Sequence, residues 1–336
     1  MVQQKKLIHE VSGWLRVYDD GSVDRTWTGP PELKFMAEPV PPHEEFIAGV
    51  AVLDVTIDQN SGHRVRIYLP EVEEHEEYNK LPILLHFHGG GFCISQADWY
   101  IYYHIYTRFA REARVICVSP FLSRAPERRL PAAIDDGYSA LLWLQSLAKA
   151  ELHEPCLKKH ADFRRVFLIG DSSGGNIVHH VAARAGKVDL TPLKLTGMIP
   201  IHPGFLRSER SKSELENPET PFLTRDMADK FINLSLPIGA TKDHPLTCPM
   251  GPAAEQLNEL KIPPYLLCLA EKDLIWDTEM EFYEAMKKAN KDIELFISKG
   301  MTHSFYLNKI EVDMDPNTAA ETGALIAGIK QFIDKY

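Results

Sequence analysis

The pattern of hydrophobic and polar positions along the chain changes near residue 81. Upstream of it, two runs of β character, Val50–Ile57 and Arg64–Leu69, flank the turn residues Asn60-Ser61-Gly62. Apolar and polar residues alternate in the second run, so we expect an antiparallel hairpin with one face in water. The charged stretch that follows, residues 71–80, predicts a surface loop.

From residue 81 onward, short apolar runs alternate with stretches of helical periodicity. Such alternation predicts an α/β fold with a mostly parallel central sheet and helices on both faces. The expected strands are Leu81–Phe87, Val115–Val118, Val166–Ile169, Leu195–Ile201, Tyr265–Ala270 and Glu294–Ile297. The expected helices are Tyr102–Arg114, Ala132–Lys149, Asn176–Ala185, Thr278–Ala289 and Ala319–Lys335.

Two segments do not follow this pattern. Residues 1–45 combine charges, a proline-rich stretch and two tryptophans, with Ile8–Leu15 compatible with a short amphipathic helix. Because the tryptophans need an apolar partner, we expect an N-terminal arm that covers part of the molecule as a lid. Residues 205–250 are polar and proline-containing, with a helical pattern at Met227–Leu236, which predicts a cap inserted over the carboxyl edge of the sheet. Residues 1–336 would then form a single domain with these two additions.

Composition argues against several classes of partner. The chain has 336 residues, with 37 Lys and Arg against 47 Asp and Glu and a net charge of −10. This excess of acid argues against nucleic acid or an anionic membrane as the main partner, and the apolar runs are too short to span a bilayer. Five cysteines without metal-like spacing, and an N-terminus unlike a signal peptide, favour reduced thiols and a cytoplasmic location. We expect no metal, no cofactor, and a monomer or homodimer.

The strongest local motif is Gly170-Asp171-Ser172-Ser173-Gly174, which follows a buried strand and leads directly into a helix. Gly-x-Ser-x-Gly in this context is typical of a nucleophile elbow, whose tight turn exposes the serine. Nucleotide binding is disfavoured, because Asn176 stands where a phosphate-binding loop needs Lys. Ser172 is therefore the candidate nucleophile, and a tight turn without chemistry is the alternative.

A second motif, His88-Gly89-Gly90-Gly91-Phe92, follows another apolar strand. Glycines that leave a strand can turn their backbone N–H groups toward a developing oxyanion, and the N–H of Ser173 would add a further donor. His86 and His88 share one face of the strand, which raises the possibility of a metal pair. The glycines that follow take the place of the further ligands that a dinuclear site needs, so we favour an oxyanion hole.

A serine nucleophile needs a base and an acid, and in this fold class the chain order is serine, acid, histidine. Asp273 follows the strand Tyr265–Ala270, with Glu271 and Asp277 as competitors for the acid. His303 lies in the loop after the strand Glu294–Ile297. Since the carboxyl ends of parallel strands meet at one edge, these positions predict the triad Ser172, Asp273 and His303.

Together these residues resemble the plant carboxylesterases of the hormone-sensitive-lipase-like α/β-hydrolase group, especially the esterases associated with the hypersensitive response. The resemblance extends over essentially the whole chain. It includes the segments Val11–Tyr18, Thr26–Pro31, His88–Gly91, Gly170–Asn176 and Gly300–His303.

The resemblance implies an α/β-hydrolase fold in which Ser172 is the nucleophile, His303 the base and Asp273 its partner. It also implies that the N–H groups of Gly90, Gly91 and Ser173 form the oxyanion hole, with His88 and Gly89 supporting the glycine loop. One departure is visible. The group usually carries Tyr-Arg-Leu-Ala-Pro-Glu-His where this chain has Leu122-Ser123-Arg124-Ala125-Pro126-Glu127-Arg128, so we expect a rewired salt-bridge network around Glu127 and Asp135.

The expected function is that of a serine carboxylesterase acting on small esters through an acyl-enzyme. Phe92, Phe205 and Leu206 are candidates for the apolar lining of a substrate pocket roofed by the arm and the 205–250 insertion, and Tyr306 is a candidate by its proximity to a motif. Two alternatives remain. A lyase or cyclase of specialised metabolism could use the same groups for proton transfer. A hormone receptor on this scaffold is disfavoured by His303, because the gibberellin receptors of the family lack a functional catalytic histidine.

Overall fold

The structure, a computed structural model, describes residues 5–72 and 80–336. The first four residues of the arm and most of the predicted loop at 71–80 lie outside the described residues. The described chain forms two sheets. A small antiparallel sheet comprises β1 (Leu7–Val11), β2 (Leu15–Tyr18) and β3 (Val23–Asp24). The large sheet comprises β4 (His43–Ile47), β5 (Val50–Asp58), β6 (His63–Pro70), β7 (Leu81–Phe87), β8 (Ile116–Pro120), β9 (Ala161–Asp171), β10 (Leu195–Ile201), β11 (Tyr265–Ala270) and β12 (Ile293–Ser298).

The large sheet is mostly parallel, as predicted. Its strand order is β12-β11-β10-β9-β7-β8-β6-β5-β4. The pairings from β12 across to β8 are parallel, whereas β6, β5 and β4 are joined by antiparallel pairings. The carboxyl ends of β7, β9, β10 and β11 therefore meet at one edge, where the polar motifs lie.

Helices cover both faces of this sheet. The helices that the structure describes are α1 (Tyr100–Glu112), α2 (Ala132–Ala148), α3 (Pro155–His160), α4 (Ser173–Ala185), α5 (Lys212–Glu216), α6 (Arg225–Ser235), α7 (Trp276–Lys288), α8 (Lys309–Met314) and α9 (Pro316–Lys335), of which α5 and α6 belong to the segment 205–250. The apolar side chains of α2, α4 and α7 share one core with Ile83 and Leu85 of β7. Those of α1 and α9 share the opposite core with Leu84. Successive residues of a strand thus enter different cores, which explains why the sequence shows unbroken apolar runs.

The predicted antiparallel hairpin is present, but the face predicted to be in water is exposed only near the turn, at Arg64 and Thr56, and is buried at Arg66 and Tyr68. Strands β5 and β6 pair from Val50↔Pro70 to Asp58↔His63. Arg66, expected in water, is buried, and its guanidinium binds the Asp54 carboxylate at 2.7 and 2.9 Å and the Val40 carbonyl at 2.7 Å. The prediction of a solvent-exposed face is wrong at Arg66 because the Asp54 carboxylate and the Val40 carbonyl bind its charged group inside the protein.

The first part of the N-terminal arm is a small β-sheet, and a 3-10 helix at Pro31–Ala37 follows it. The helix predicted at Ile8–Leu15 is replaced by the β1–β2 hairpin, whose turn at Ser12-Gly13 has positive φ values of 40° and 77°. The Trp14 ring, just after this turn, contacts Trp27 at 4.4 Å and Trp99 at 6.1 Å between centroids. A tertiary aromatic cluster therefore sets the local structure here and overrides the weak helical pattern.

The segment 205–250 carries α5 and α6, and the second of these corresponds to the predicted helix at Met227–Leu236. Its later part is fastened to the helix that follows the elbow. The side-chain amide of Asn176 and the Nε2 atom of His180 lie 2.8 and 3.1 Å from the Leu246 carbonyl oxygen. Among the helices that the structure describes, none has the length and apolarity that a membrane span requires.

Candidate active site

Ser172 occupies a strained turn between β9 and α4. Its backbone angles are φ 53° and ψ −120°, a combination that non-glycine residues rarely adopt. The turn is held by hydrogen bonds from Ser172 N–H to the Ile201 carbonyl, at 2.9 Å, and from Gly204 N–H to the Ser172 carbonyl, at 2.7 Å. This is the backbone geometry expected of a nucleophile elbow.

The three residues predicted as a triad meet at the carboxyl edge of the sheet. The His303 Nε2 atom lies 2.9 Å from Ser172 Oγ, and its Nδ1 atom lies 2.6 Å from an Asp273 carboxylate oxygen. The second carboxylate oxygen of Asp273 accepts the N–H of Ile275 at 3.1 Å. Asp273 and His303 are buried, so their interaction is little screened by water.

The two competitors for the acid position are engaged elsewhere. A carboxylate oxygen of Glu271 accepts the N–H of Gly300 at 2.8 Å, and the side chain faces Lys299 in solvent. The Asp277 carboxylate accepts the N–H of Ser213 at 2.7 Å. Of the three acids, Asp273 is the one hydrogen-bonded to His303.

The glycine loop presents free N–H groups next to Ser172. Gly90 and Gly91 have φ values of 100° and 58°, and both line the cleft that contains Ser172. None of the hydrogen bonds found among the described residues is donated by the N–H groups of Gly90, Gly91 or Ser173. Ser173 is buried and the two glycines are half-buried, so three N–H groups without a protein partner at one cleft suit an anion that forms during a reaction.

Behind the glycine loop, two histidines are held in the neutral state. The Nδ1 atom of His88 lies 2.9 Å from the Gly89 carbonyl oxygen, and burial lowers the pKa of His88 to about 4. The Nδ1 atom of His86 lies 2.8 Å from Ser119 Oγ, and burial also lowers the pKa of His86. Both imidazoles are thus neutral at pH 7. His88 contacts the glycine loop itself, whereas His86 contacts Ser119 of β8 and Asp171 at the end of β9.

Glu127 and Asp135, around which the sequence predicts a rewired network, both form ion pairs with arginines. Glu127 forms a bidentate pair with Arg25 of the arm, with contacts of 2.7 and 2.6 Å. Asp135 pairs with Arg184 of α4 at 2.5 Å. The Leu122–Arg128 segment is therefore tied to the arm through Glu127, whereas the pair of Asp135 with Arg184 joins α2 to α4.

A mostly apolar cleft opens above Ser172. Of the predicted pocket residues, Phe92 and Leu206 line it. The structure instead places Phe205 and Tyr306 in the core. The Phe205 ring packs 4.5 Å from Phe282, and the Tyr306 ring packs 5.7 Å from Phe305, so neither reaches the cleft wall.

Sequence reasoning missed much of the cleft wall. The arm contributes Trp14, the start of α1 is preceded by Trp99, and α6 contributes Met227, Ala228, Phe231 and Ile232. The residues from α6 recur at helical spacing, so the apolar face of the helix predicted at Met227–Leu236 was the available signal. Trp99 belongs to none of the sequence motifs. Its contact with Trp14 depends on the fold of the arm, so the sequence alone did not indicate it.

A further histidine, His202, was also missed. It packs 5.7 Å from the His303 ring, and its Nδ1 atom accepts the N–H of Ser304 at 3.0 Å. Among the described residues, His202, Asp273 and His303 form the one group whose donor atoms, all within 4.8 Å, could hold a metal ion. Since the two ring nitrogens of His303 are already hydrogen-bonded to Asp273 and Ser172, the arrangement suits proton transfer better than metal ligation.

Comparison with known proteins agrees with this architecture. A family model described as alpha/beta hydrolase fold matches residues 84–307. The chain is 36% identical to probable carboxylesterase 6 of Arabidopsis thaliana, covering 90% of this chain and 85% of that protein. It is 34% identical to 2-hydroxyisoflavanone dehydratase of Glycyrrhiza echinata, covering 92% and 93%. A hyperthermophilic esterase from Pyrobaculum calidifontis superposes with a TM-score of 0.67 at 25% identity, covering 84% and 85%. The chain belongs to the α/β-hydrolase fold family, and the plant carboxylesterases are among its relatives.

Proposed function

We propose that the chain is a serine carboxylesterase that hydrolyses small carboxylic esters through an acyl-enzyme intermediate. The observation that carries the proposal is the hydrogen-bonded series Ser172–His303–Asp273 at the base of an apolar cleft. The similarity of the chain to probable carboxylesterase 6 of Arabidopsis thaliana and to the esterase of Pyrobaculum calidifontis supports the same reaction.

In the first half of the reaction, His303 Nε2 takes the proton of Ser172 Oγ as the oxygen attacks the ester carbonyl carbon. The carbonyl oxygen becomes an oxyanion, and the N–H groups of Gly90, Gly91 and Ser173 stabilise it. His303 then gives its proton to the leaving alcohol, and the acyl group remains on Ser172. Asp273 stays ionised, orients the imidazole and stabilises its charged form.

In the second half, a water molecule replaces the alcohol. His303 Nε2 takes a proton from this water as its oxygen attacks the acyl carbonyl, and the same N–H groups stabilise the second oxyanion. Collapse of this intermediate breaks the bond to Ser172 Oγ, which recovers its proton from His303. The products are a carboxylic acid and the regenerated enzyme.

The cleft favours uncharged esters of short to medium acyl length. Aromatic and aliphatic side chains form most of its wall, including Trp14, Trp99, Phe222 and Phe231. A charged group placed against such a wall would lose its hydration without gaining a partner.

A cytoplasmic location and a monomeric or homodimeric state stay predictions from the sequence.

The test is hydrolysis of a short acyl p-nitrophenyl ester by the Ser172→Ala variant. We expect activity to be abolished while the melting temperature stays close to that of the parent protein. An organophosphate should label the parent chain at Ser172 and leave the variant unmodified. Full activity in the folded variant would overturn the assignment.

The same experiment addresses the lyase alternative. One relative that aligns over most of both chains, from Glycyrrhiza echinata, is named as a dehydratase and not as an esterase. Fast labelling of Ser172 together with slow turnover of every ester in a small panel would favour elimination or cyclisation over hydrolysis. Rapid turnover of at least one uncharged ester would favour the carboxylesterase.

A further inference from the structure

The guanidinium group of Arg25, in the N-terminal arm, joins three segments beside the glycine loop. Its Nε atom donates to the Cys93 carbonyl oxygen at 2.7 Å, and a terminal nitrogen donates to the Ala125 carbonyl oxygen at 2.9 Å. The two terminal nitrogens also bind the Glu127 carboxylate at 2.7 and 2.6 Å. The Arg25 side chain is only 12% exposed, whereas the Glu127 side chain is 46% exposed. The contacts of Arg25 with the two carbonyl oxygens are part-buried and are therefore better shielded from water than its contacts with the carboxylate.

The segments that Arg25 holds continue directly into the proposed oxyanion hole. The Phe92 carbonyl accepts the N–H of Ala125 at 2.9 Å, and the N–H of Cys93 donates to the Gly90 carbonyl at 3.0 Å. The N–H of Phe92 donates to Ser173 Oγ at 3.2 Å. Displacement of the Cys93 carbonyl would therefore be transmitted to Gly90 within one hydrogen-bonded turn.

The same contacts hold the arm over the cleft. Arg25 follows β3 directly, and Trp14 of the arm shares an apolar cluster with Cys93, Ala125 and Phe231. Trp14 also lines the cleft. Arg25 binds the backbone carbonyl groups of Cys93 and Ala125, and Trp14 packs in the same apolar cluster as these two residues. The arm is therefore attached to this region by polar contacts of Arg25 and by apolar contacts of Trp14.

We propose that Arg25 is a positioning residue for the esterase reaction. By fixing the Cys93 and Ala125 carbonyl groups against the Glu127 carboxylate, it sets the position of the Gly90 and Gly91 N–H groups relative to Ser172. The arm thereby becomes part of the catalytic framework as well as a cover. This inference rests on the proposed function, because it concerns the stabilisation of the reaction's oxyanion.

The test compares Arg25→Gln with Arg16→Gln. Arg16 lies in the same arm and pairs with Asp24 at 2.7 Å, but its bonds stay within the arm, so it is a matched control for loss of one charge. For a small p-nitrophenyl ester we expect kcat of Arg25→Gln to fall about tenfold, less than the roughly 10²–10³ that follows loss of a whole oxyanion donor. KM should change little, and labelling of Ser172 by an organophosphate should slow in parallel with kcat. Arg16→Gln should retain the parent values of both rates.

Chemical rescue separates positioning from a general effect on stability. Guanidinium ion, at a concentration well below that which unfolds the protein, should restore part of kcat in Arg25→Ala and leave Arg16→Ala unchanged. If Arg25 variants do not fold, Glu127→Gln tests the same anchor, because it removes the charge of the partner and leaves the two carbonyl contacts. A several-fold fall in kcat is then expected.

The outcomes distinguish this inference from the proposed function. Equal values of kcat for folded Arg25→Gln and Arg16→Gln, or an unchanged kcat in folded Glu127→Gln, would overturn the positioning role and leave the esterase assignment intact. Hydrolysis by Ser172→Ala would instead overturn the assignment itself, whatever the Arg25 variants do.

Discussion

Gly174 lies so close to the carbonyl group of Phe87 that a Cβ atom on it would overlap the oxygen and sit 2.7 Å from the carbonyl carbon. Phe87 ends β7, directly before the residues of the glycine loop, whereas Gly174 is the second residue of α4, after the elbow. The two halves of the site thus approach each other through backbone alone. This close approach, more than flexibility, explains the glycine at the end of Gly-x-Ser-x-Gly.

Gly174→Ala should therefore lower both stability and activity. The added methyl group meets backbone that cannot rotate away, so we expect the free energy of unfolding to fall by about 1–3 kcal/mol or more, and kcat to fall as Ser172 moves away from the glycine loop. Urea denaturation and ester hydrolysis measure the two effects. Gly323→Ala on α9 is the matched control, because a Cβ atom on Gly323 would lie more than 4 Å from every atom beyond its own helix backbone. This change should raise the free energy of unfolding by about 0.5–1 kcal/mol. Parent-like values for Gly174→Ala would contradict the close approach.

Asp273→Asn should preserve the fold and remove most of the activity. An amide in place of the carboxylate leaves the side-chain volume unchanged, but it no longer selects the correct histidine tautomer or stabilises the imidazolium, and in a Ser-His-Asp triad this change lowers kcat about 10⁴-fold. Steady-state kinetics with a p-nitrophenyl ester measure the loss. Asp277→Asn, which changes a carboxylate bound to the Ser213 N–H, should keep kcat within about twofold. Equal losses in both variants would contradict the choice of Asp273.

The sequence predicted the sheet and its polar edge because both are encoded locally. Runs such as Leu81–Phe87 and Tyr265–Ala270 are apolar on both faces, which occurs when helices cover both sides of a parallel strand. Parallel strands also bring their carboxyl ends to one edge, so Asp273 and His303 could be placed near Ser172 from their positions after strands. The parallel topology thus predicts that these three residues are close in space, although they are far apart in the sequence.

The arm and the cleft wall could not be predicted in the same way. Trp14 is held in place by the rings of Trp27 and Trp99. The local sequence pattern does not predict these contacts. Residues adjacent in sequence also diverge at the cleft: Leu206 lines it, whereas Phe205 points into the core. Proximity to a motif does not fix the direction of a side chain, and irregular segments lack the periodicity that would do so.

The apolar cleft should discriminate strongly against charged acyl groups. Among the described residues that line it, none is Lys or Arg, so a carboxylate on the substrate would be desolvated without a counter-charge. We expect kcat/KM for p-nitrophenyl butyrate to exceed that for the p-nitrophenyl monoester of succinate by at least about 100-fold, which corresponds to a few kcal/mol of desolvation. Leu223→Lys, which adds a cation to the cleft wall, should narrow this ratio. A ratio near one in the parent enzyme would mean that the acyl group binds elsewhere.

Glu279, on α7, is a buried acid that should make stability fall as the pH rises. Its carboxyl oxygens have no hydrogen-bond partner among the described residues. Burial, with a smaller effect from the charge of Asp273, raises the pKa of Glu279 well above its usual value of 4.5. Above about pH 4.5 the unfolded chain therefore releases a proton that the folded chain retains, so the free energy of unfolding decreases with rising pH until the folded-state pKa is passed.

Glu279→Gln removes this linked proton and should weaken the pH dependence. We expect the variant to gain stability relative to the parent protein between pH 5 and pH 8, as measured by urea denaturation at both values. Glu284→Gln, which changes an exposed residue of the same helix, should leave the difference between the two pH values as it is in the parent. The control matters because any loss of acid changes the net charge, whereas only a buried acid links folding to proton uptake over this range. If Glu279→Gln and the parent lose stability equally between pH 5 and pH 8, Glu279 is ionised in the folded protein.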